Sequence, residues 1–292
     1  MESAIKTNNL SKKFGDVRAV SGLDLDIKKG EVFGFLGPNG AGKTTTIRMI
    51  LNFIFPSSGK ISVFGKNPAS ESAEIMRDSG YIAGDISLYE NYRVNDFLNY
   101  VEDLRGRRSN KKTELLDRFD LNPRRKIRQL SKGNKQKVAI VQAFMHSPQL
   151  LVLDEPTSGL DPLLQLEFFK LIEEMQKQGS TIFFSSHILS EVQRVCDRVG
   201  IIKKGKLIAL ETIRDLSSKN VYLVELIAKK EISKGQLNKL KYSNFKSTGQ
   251  LVSFNYTGDV NRLVKILSSL ELVHVNIKEP NLEELFLTYY KD

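Results

Sequence analysis

The chain opens with strand-like alternation of apolar and polar positions. Residues 4–10 and 19–27 carry it, and Leu23-Asp24-Leu25-Asp26-Ile27 puts one face toward a core and the other toward water. The run Glu31-Val32-Phe33-Gly34-Phe35-Leu36 predicts a buried strand. Thr44-Thr45-Thr46-Ile47-Arg48-Met49-Ile50-Leu51 then predicts a helix, and Lys60-Ile61-Ser62-Val63-Phe64 another strand. From 94 to 145 the period becomes helical: Val94, Phe97, Leu98 and Val101 share a face, as do Leu115, Leu116 and Phe119. Strand and helix alternate again after that. Leu150–Asp154 is an apolar strand, and Asp161-Pro162 opens a helix as N-cap and first-turn proline. Leu164, Phe168, Leu171, Ile172 and Met175 are its buried stripe and Gly179 its stop; residues 181–185 and Ile201-Ile202 are further strands. This is the pattern of a parallel α/β core interrupted by a helical insertion.

The character changes near Thr212. Val221–Ala228 and 251–256 predict strands, with the turn signal Thr248-Gly249 before the second. Val260, Leu263, Val264 and Leu267 mark a helix, 272–277 a strand and 282–290 a last helix. The order is that of a β-α-β-β-α-β, ferredoxin-like plan with a helix appended. The expected domains are therefore 1–215, holding the insertion at 86–146, and a small α+β domain at 216–292.

Between the buried strand and its helix stand Gly37-Pro38-Asn39-Gly40-Ala41-Gly42-Lys43-Thr44, which fit G-x-x-x-x-G-K-[ST]. Glycines let such a loop close into a cup of inward N–H groups, to which the helix N-terminus adds partial positive charge. Lys43 can then reach the β- and γ-phosphates, and the Thr44 hydroxyl can ligate Mg²⁺, with Thr45 next in the cup. The loop predicts a nucleoside triphosphate site. The strand Leu150–Asp154 also runs into two carboxylates, Asp154 and Glu155. In a parallel sheet the crevice lies beyond the carboxyl ends of the strands. Asp154 is expected beside the loop as a Mg²⁺ ligand, and Glu155 farther out, orienting or deprotonating a water that attacks the γ-phosphate. Alone, the pair also reads as an acidic strand-end turn.

Composition narrows the class. The 292 residues, 40% hydrophobic and 27% charged, are those of an ordinary globular protein. Cys196 has no second cysteine to pair with, which suits a reducing compartment. The first residues show no apolar signal region, and no apolar run is long enough to span a bilayer, so a membrane role requires a second polypeptide. Of the net charge of +10, nearly all sits at 103–137, with 13 lysines and arginines against 4 aspartates and glutamates. Such a patch suits nucleic acid, anionic lipid or nucleotide phosphates, or is simply a solvated helical face.

Further stretches carry a resemblance. Leu130-Ser131-Lys132-Gly133-Asn134 stands shortly before the strand ending in Asp154-Glu155, which is followed by Pro156-Thr157-Ser158-Gly159-Leu160-Asp161 and later by Ser185-Ser186-His187. In this order they resemble the signature, D-loop and switch-histidine loop of the ATP-binding subunit of an ABC transporter, over residues 1 to 215. The resemblance implies a P-loop (RecA-like) parallel core with an antiparallel β subdomain. It implies ATP and Mg²⁺ as ligands, Phe14 stacked on adenine, and Ser131, Lys132, Gly133 and Asn134 pointed at the γ-phosphate held by the opposite subunit. From the residues alone, Ser131 is only a cap for a helix beginning near Lys135, Asp161 only a good N-cap, and His187 either a core histidine or a phosphate sensor.

The chain departs from the family at two places. After Gly80-Tyr81-Ile82 the family carries a glutamine that contacts Mg²⁺ and the attacking water, whereas Gly84-Asp85 stands here. Either Asp85 supplies a carboxylate by a different reach or water fills the gap. In the signature, Lys132 and Asn134 replace Gly and Gln; Lys132 adds charge near the triphosphate or faces solvent. One loop and one signature per chain imply a homodimer closing on ATP, at the cytoplasmic face of a membrane against a separate transmembrane permease. Leu130-Ser131-Lys132-Gly133-Asn134-Lys135-Gln136 and the tail from Glu279 to Phe286 are similar to bacterial drug and antibiotic exporters of the bacitracin type. A soluble ABC ATPase acting on nucleic acid or ribosomes is the other class, against which stand the single cassette and the lack of coiled-coil or zinc insertions, so no nucleic acid is expected.

Overall fold

The computed structural model describes residues 2–278 apart from 107, 110, 219, 220, 233 and 239. The tail resemblance at 279–286 and the helix expected at 282–290 lie outside the described residues. The chain divides into two units, Met1–Glu211 and Thr212–Asp292.

In the first unit β1 (Ser3–Phe14) and β2 (Val17–Lys28) form a hairpin. Both are longer than their hydrophobic alternation predicts. Lys12 pairs with Val20, Lys13 with Arg18 and Phe14 with Val17, so cross-strand bonding carries the ribbon past its last buried residues. The fully buried β3 (Val32–Leu36) leads through the glycine loop into α1 (Lys43–Ile50). β4 (Ser58–Val63) joins the other edge of β1, completing an antiparallel sheet of order β2-β1-β4. Next, α2 (Pro68–Arg77) is capped by the Asn67 side chain and leads to β5 (Ser79–Ile82).

The insertion holds α3 (Val94–Arg105), α4 (Lys112–Arg118), a 3-10 turn at Ile127–Gln129 and α5 (Lys132–Phe144). Val94, Phe97, Leu98, Val101, Leu115, Leu116 and Phe119 are all buried, as the period predicts. A buried carboxylate joins α3 to α4. Glu102, 2% exposed, accepts from Lys112 Nζ at 2.7 Å, Arg108 Nη1 at 3.1 Å and the Ser109 amide at 2.8 Å. Helix α5 starts at Lys132, three residues before the expected Lys135, because the Ser131 hydroxyl accepts from the Asn134 amide at 3.3 Å as its N-cap.

The chain returns to the core as β6 (Leu150–Asp154), α6 (Pro162–Lys177), β7 (Thr181–Ser186), α7 (Leu189–Val195), β8 (Arg198–Lys203) and β9 (Lys206–Thr212). In α6 Phe168, Leu171, Ile172 and Met175 are buried, joined by Phe169, and Leu164 is half-buried. The central sheet runs β5-β6-β7-β3-β8-β9. Pairings of β5 with β6, β6 with β7, and β3 with β7 and β8 are parallel, so the carboxyl ends of these strands open on one edge. Phe33, Phe35 and Phe183 pack together beneath that edge and hold it fixed.

In the second unit α8 (Ile213–Ser218) precedes β10 (Val221–Ala228), a 3-10 turn at Lys234–Leu237, β11 (Tyr242–Thr248), β12 (Leu251–Thr257), α9 (Val260–Leu267) and β13 (Leu272–Lys278). The antiparallel order β11-β12-β10-β13 has the strand arrangement of the split β-α-β plan. The short 3-10 turn stands where that plan has its first helix. Leu263 and Leu267 of α9 close a core with Val224, Leu226, Val252 and Phe254.

Candidate active site

Register across the parallel strands sets the site. Leu36, the last residue of β3, pairs with Ser186, and Asp154, the last of β6, pairs with Ser185. The glycine loop, the two carboxylates and the Ser185-Ser186-His187 segment therefore leave the sheet side by side. Gly37 donates its amide to the Ser186 carbonyl at 3.2 Å, which ties the loop to β7. Gly42, the N-cap of α1, has φ 109, and a Cβ there would meet the Ala19 carbonyl at 2.5 Å. Both facts exclude any other residue at this turn. A cleft of 170 Å³ opens over the loop, lined by Ala19, Asn39, Gly40, Gly42, Lys43, Thr44, Thr45 and Glu155.

Lys43 is 5% exposed, and its ammonium donates to the carbonyls of Gly37 at 2.7 Å and Pro38 at 3.2 Å. It also pairs with Glu155 Oε1 at 3.1 Å. Thr44 Oγ1 donates to Asp154 Oδ2 at 2.7 Å, and Ser185 Oγ to Asp154 Oδ1 at 2.6 Å. The sequence places Ser185 in the switch-histidine stretch without a role for its hydroxyl, which fixes the carboxylate plane and also accepts from the Glu155 amide at 3.2 Å. Asp154 and Thr44 form an oxygen-only pair of the kind Mg²⁺ takes alongside phosphate oxygens and water. Among the described residues no group of three or more His, Cys, Asp or Glu is placed to hold a metal without such help. Burial first and the Asp154 charge second push the Tyr81 hydroxyl up to about 12, so a neutral phenol stands beside this carboxylate.

Glu155 occupies the left-handed region at φ 47, a costly conformation for a residue with a Cβ. It turns the chain out of β6 and places the carboxylate between two nitrogens, Lys43 Nζ at 3.1 Å and His187 Nδ1 at 3.2 Å. With its side chain 47% exposed, His187 is not a core histidine.

Other residues lie around this centre. Phe14 is 50% exposed at the tip of the β1–β2 hairpin with Lys12 Nζ 5.0 Å above its ring, leaving an aromatic surface open for stacking. Gly84 follows β5 directly alongside Asp154, where a Cβ would lie 3.4 Å from Oδ2, while Asp85 is exposed. Asp161 caps α6, accepting from the Leu164 amide at 3.0 Å. At the head of α5, a Cβ on Gly133 would lie 2.8 Å from the Gly159 carbonyl, and the Lys132 stem runs along Gly159. Gln136, which the sequence marks only as the end of the signature stretch, donates to the Pro156 carbonyl at 2.5 Å and so fastens α5 to the segment after Glu155.

Comparison with known proteins shows which family the chain resembles. The ABC transporter family pattern matches residues 20–158. The bacitracin transport ATP-binding protein BcrA of Bacillus licheniformis is 34% identical over 297 residues, covering 98% of this chain and 97% of its own. The structure of an ATP-binding subunit of an ABC transporter superposes with a TM-score of 0.69 at 31% identity, over 73% of this chain and 92% of that one. A dimeric ATP-binding cassette in a post-hydrolysis state, bound to ADP and Pi, superposes with a TM-score of 0.64 at 25% identity, over 72% of this chain and 99% of that one. Similarity to a relative along nearly the whole of both chains establishes the family: this chain belongs to the ATP-binding subunits of ABC transporters.

Proposed function

We propose that this ATPase dimerises on ATP and Mg²⁺ and drives a separate transmembrane permease that exports a drug, antibiotic or peptide. The observation that carries the reading is the meeting of Lys43, Glu155 and His187 over the glycine loop, with Thr44 joined to Asp154 beside them. Phosphates enter the cup of loop amides, and Lys43 exchanges its carbonyl partners for β- and γ-phosphate oxygens. Thr44 and Asp154 hold Mg²⁺, which when bound neutralises charge on the triphosphate. Glu155 orients and deprotonates the attacking water, and His187 senses the γ-phosphate. At the position of the family's glutamine, either Asp85, exposed one residue beyond Gly84, or a water supplies the missing contact.

Ser131, Lys132, Gly133 and Asn134 head α5, whose first amides aim away from the helix as a phosphate-binding end. In a head-to-tail homodimer they complete the partner's nucleotide site, with Asp161 at the same interface. Loss of the γ-phosphate removes those bridging contacts and opens the dimer. Residues 1–215 form this cassette, and 216–292 an accessory domain. Among the described residues no helix is long and apolar enough to cross a membrane; on this reading the chain attaches peripherally to its permease at the cytoplasmic face. The transport role is taken from the bacitracin transport relative. Gentle co-purification of the tagged chain from membranes of its host tests the reading. A polytopic membrane protein recovered in about equal amount supports it, and recovery with ribosomes or DNA alone overturns it.

A further inference from the structure

We infer that Glu191 is a positioning residue for hydrolysis, setting the separation of Glu155 and His187 by clamping the two loops that carry them. The inference rests on the reading above that these two residues work on the γ-phosphate. Glu191 lies in the first turn of α7 and is 7% exposed. Its Oε1 accepts from Thr157 Oγ1 at 2.6 Å and its Oε2 from Ser186 Oγ at 2.6 Å. Thr157 stands two residues after Glu155, and Ser186 immediately before His187. Because His187 Nδ1 lies 3.2 Å from Glu155 Oε2, the contacts close a ring from Glu155 through Pro156 and Thr157 to Glu191, then through Ser186 and His187 back to Glu155.

The ring is stiff at each member. Thr157 is 5% and Ser186 1% exposed, so neither hydroxyl has water as an alternative partner. Ser186 Oγ accepts from the Ile188 amide at 2.9 Å, which holds the backbone on the far side of His187. The Thr157 carbonyl accepts from the Leu160 amide at 3.0 Å, so the clamp extends into the D-loop. Among the described residues no cation is paired with Glu191. A buried carboxylate held by two hydroxyls without a counter-charge is a costly way to join a helix to a loop, and apolar packing would join them at less cost. What the carboxylate adds is a bidentate span that fixes two segments at once, so that a change in the D-loop at the partner's surface reaches the His187 loop through one side chain.

The test is steady-state ATP hydrolysis by the purified full chain, with kcat and KM measured separately. Glu191→Ala is expected to lower kcat by about 10- to 100-fold, the scale of a small misplacement of catalytic groups, while KM stays within about twofold. Glu191→Gln keeps one acceptor and offers a donor to a hydroxyl that can turn, so it should recover to within about threefold of wild type. If Glu191→Ala does not fold, Thr157→Val removes one arm at equal volume and should lower kcat in the same way. The deciding measurement repeats the arm-breaking variant in a His187→Ala background, where its effect should vanish because there is no imidazole left to position. Unchanged kcat in both Glu191→Ala and Thr157→Val, or full additivity with His187→Ala, overturns the inference. A normal rate in His187→Ala alone instead overturns the role given to His187 and leaves the two failures distinguishable.

Discussion

Lys43 and Glu155 form an ion pair of 3.1 Å between the phosphate loop and the end of β6, with Lys43 5% exposed. The lysine expected to meet the triphosphate and the carboxylate expected to activate water thus neutralise each other. On the proposed reading, incoming phosphates would compete with Glu155 for the same ammonium, so that binding ATP would also release the base toward its water and His187. Substrate arrival and base liberation would then be one event.

Lys43→Ala is therefore expected to weaken ATP binding by about 100-fold, the equivalent of one or two charge-assisted hydrogen bonds at about 3 kcal/mol together. Equilibrium titration with a fluorescent ATP analogue checks this. Affinity within about twofold of wild type contradicts the phosphate-loop role.

Glu155→Gln separates the two functions of the pair. It removes the competitor for Lys43, so ATP should bind as tightly as in wild type or a few times more tightly, by roughly 1 kcal/mol at most. Turnover should fall by about 100-fold or more, because the amide cannot take a proton. With ATP held and not cleaved, the chain should accumulate as a dimer in sedimentation velocity runs. A monomeric variant with normal turnover rules out Glu155 as the base.

Much of this site was legible because its signals are local. The glycine spacing of Gly37 to Lys43 demands a backbone cup whatever surrounds it, and carboxylates after an apolar strand must emerge where a parallel sheet opens. The start of α5 was less legible. Lys132-Gly133-Asn134 is a poor helical opening by propensity, and it is overridden by the Ser131 cap and by the contact of Gly133 with Gly159, two features of the folded chain. The reach of β1 to Phe14 was hidden too, since Ser11, Lys12 and Lys13 look like loop residues until their pairing with β2 is known. Glu191 gave no signal at all: Thr157 lies 34 positions away, and only the fold brings that hydroxyl to it.

Glu102 makes a prediction about the insertion and its pH dependence. Burial acts to raise its carboxyl, but the Lys112 bond, the Ser109 amide and Arg108 outweigh that and hold it below the ordinary glutamate value of 4.5. A carboxyl depressed by folding contributes stability that is present above its unfolded value and lost as pH falls through the folded one. Glu102→Ala leaves the partly buried Lys112 without its carboxylate and should cost about 3 kcal/mol near neutrality. In urea unfolding repeated from pH 7 down into the acid range, the gap between wild type and variant should begin to narrow near pH ~4.5 and go on narrowing as pH falls through the lower folded value. A gap independent of pH contradicts this account.

Gly133 tests the joint between the signature helix and the D-loop. A Cβ at this position would sit 2.8 Å from the Gly159 carbonyl, inside van der Waals contact with backbone that Gln136 fastens at Pro156. Gly133→Ala must then push the head of α5 and the segment at 158–161 apart by a few tenths of an ångström, at a cost of about 1–3 kcal/mol. The segment at 158–161 reaches the cleft lining through the Ser158 amide on the Glu155 carbonyl, and Glu155 is a residue whose loss is expected to leave ATP binding intact, so the affinity of a single chain for ATP should stay within about twofold. In the proposed dimer, completion of the site would need both elements in register, and ATP-driven dimerisation and turnover should each fall by about 10-fold or more. Sedimentation with the Glu155→Gln background and an ATPase assay in the wild-type background measure the two effects. If Gly133→Ala lowers nucleotide affinity and leaves dimerisation intact, α5 acts on the nucleotide of its own chain, and the head-to-tail arrangement is wrong.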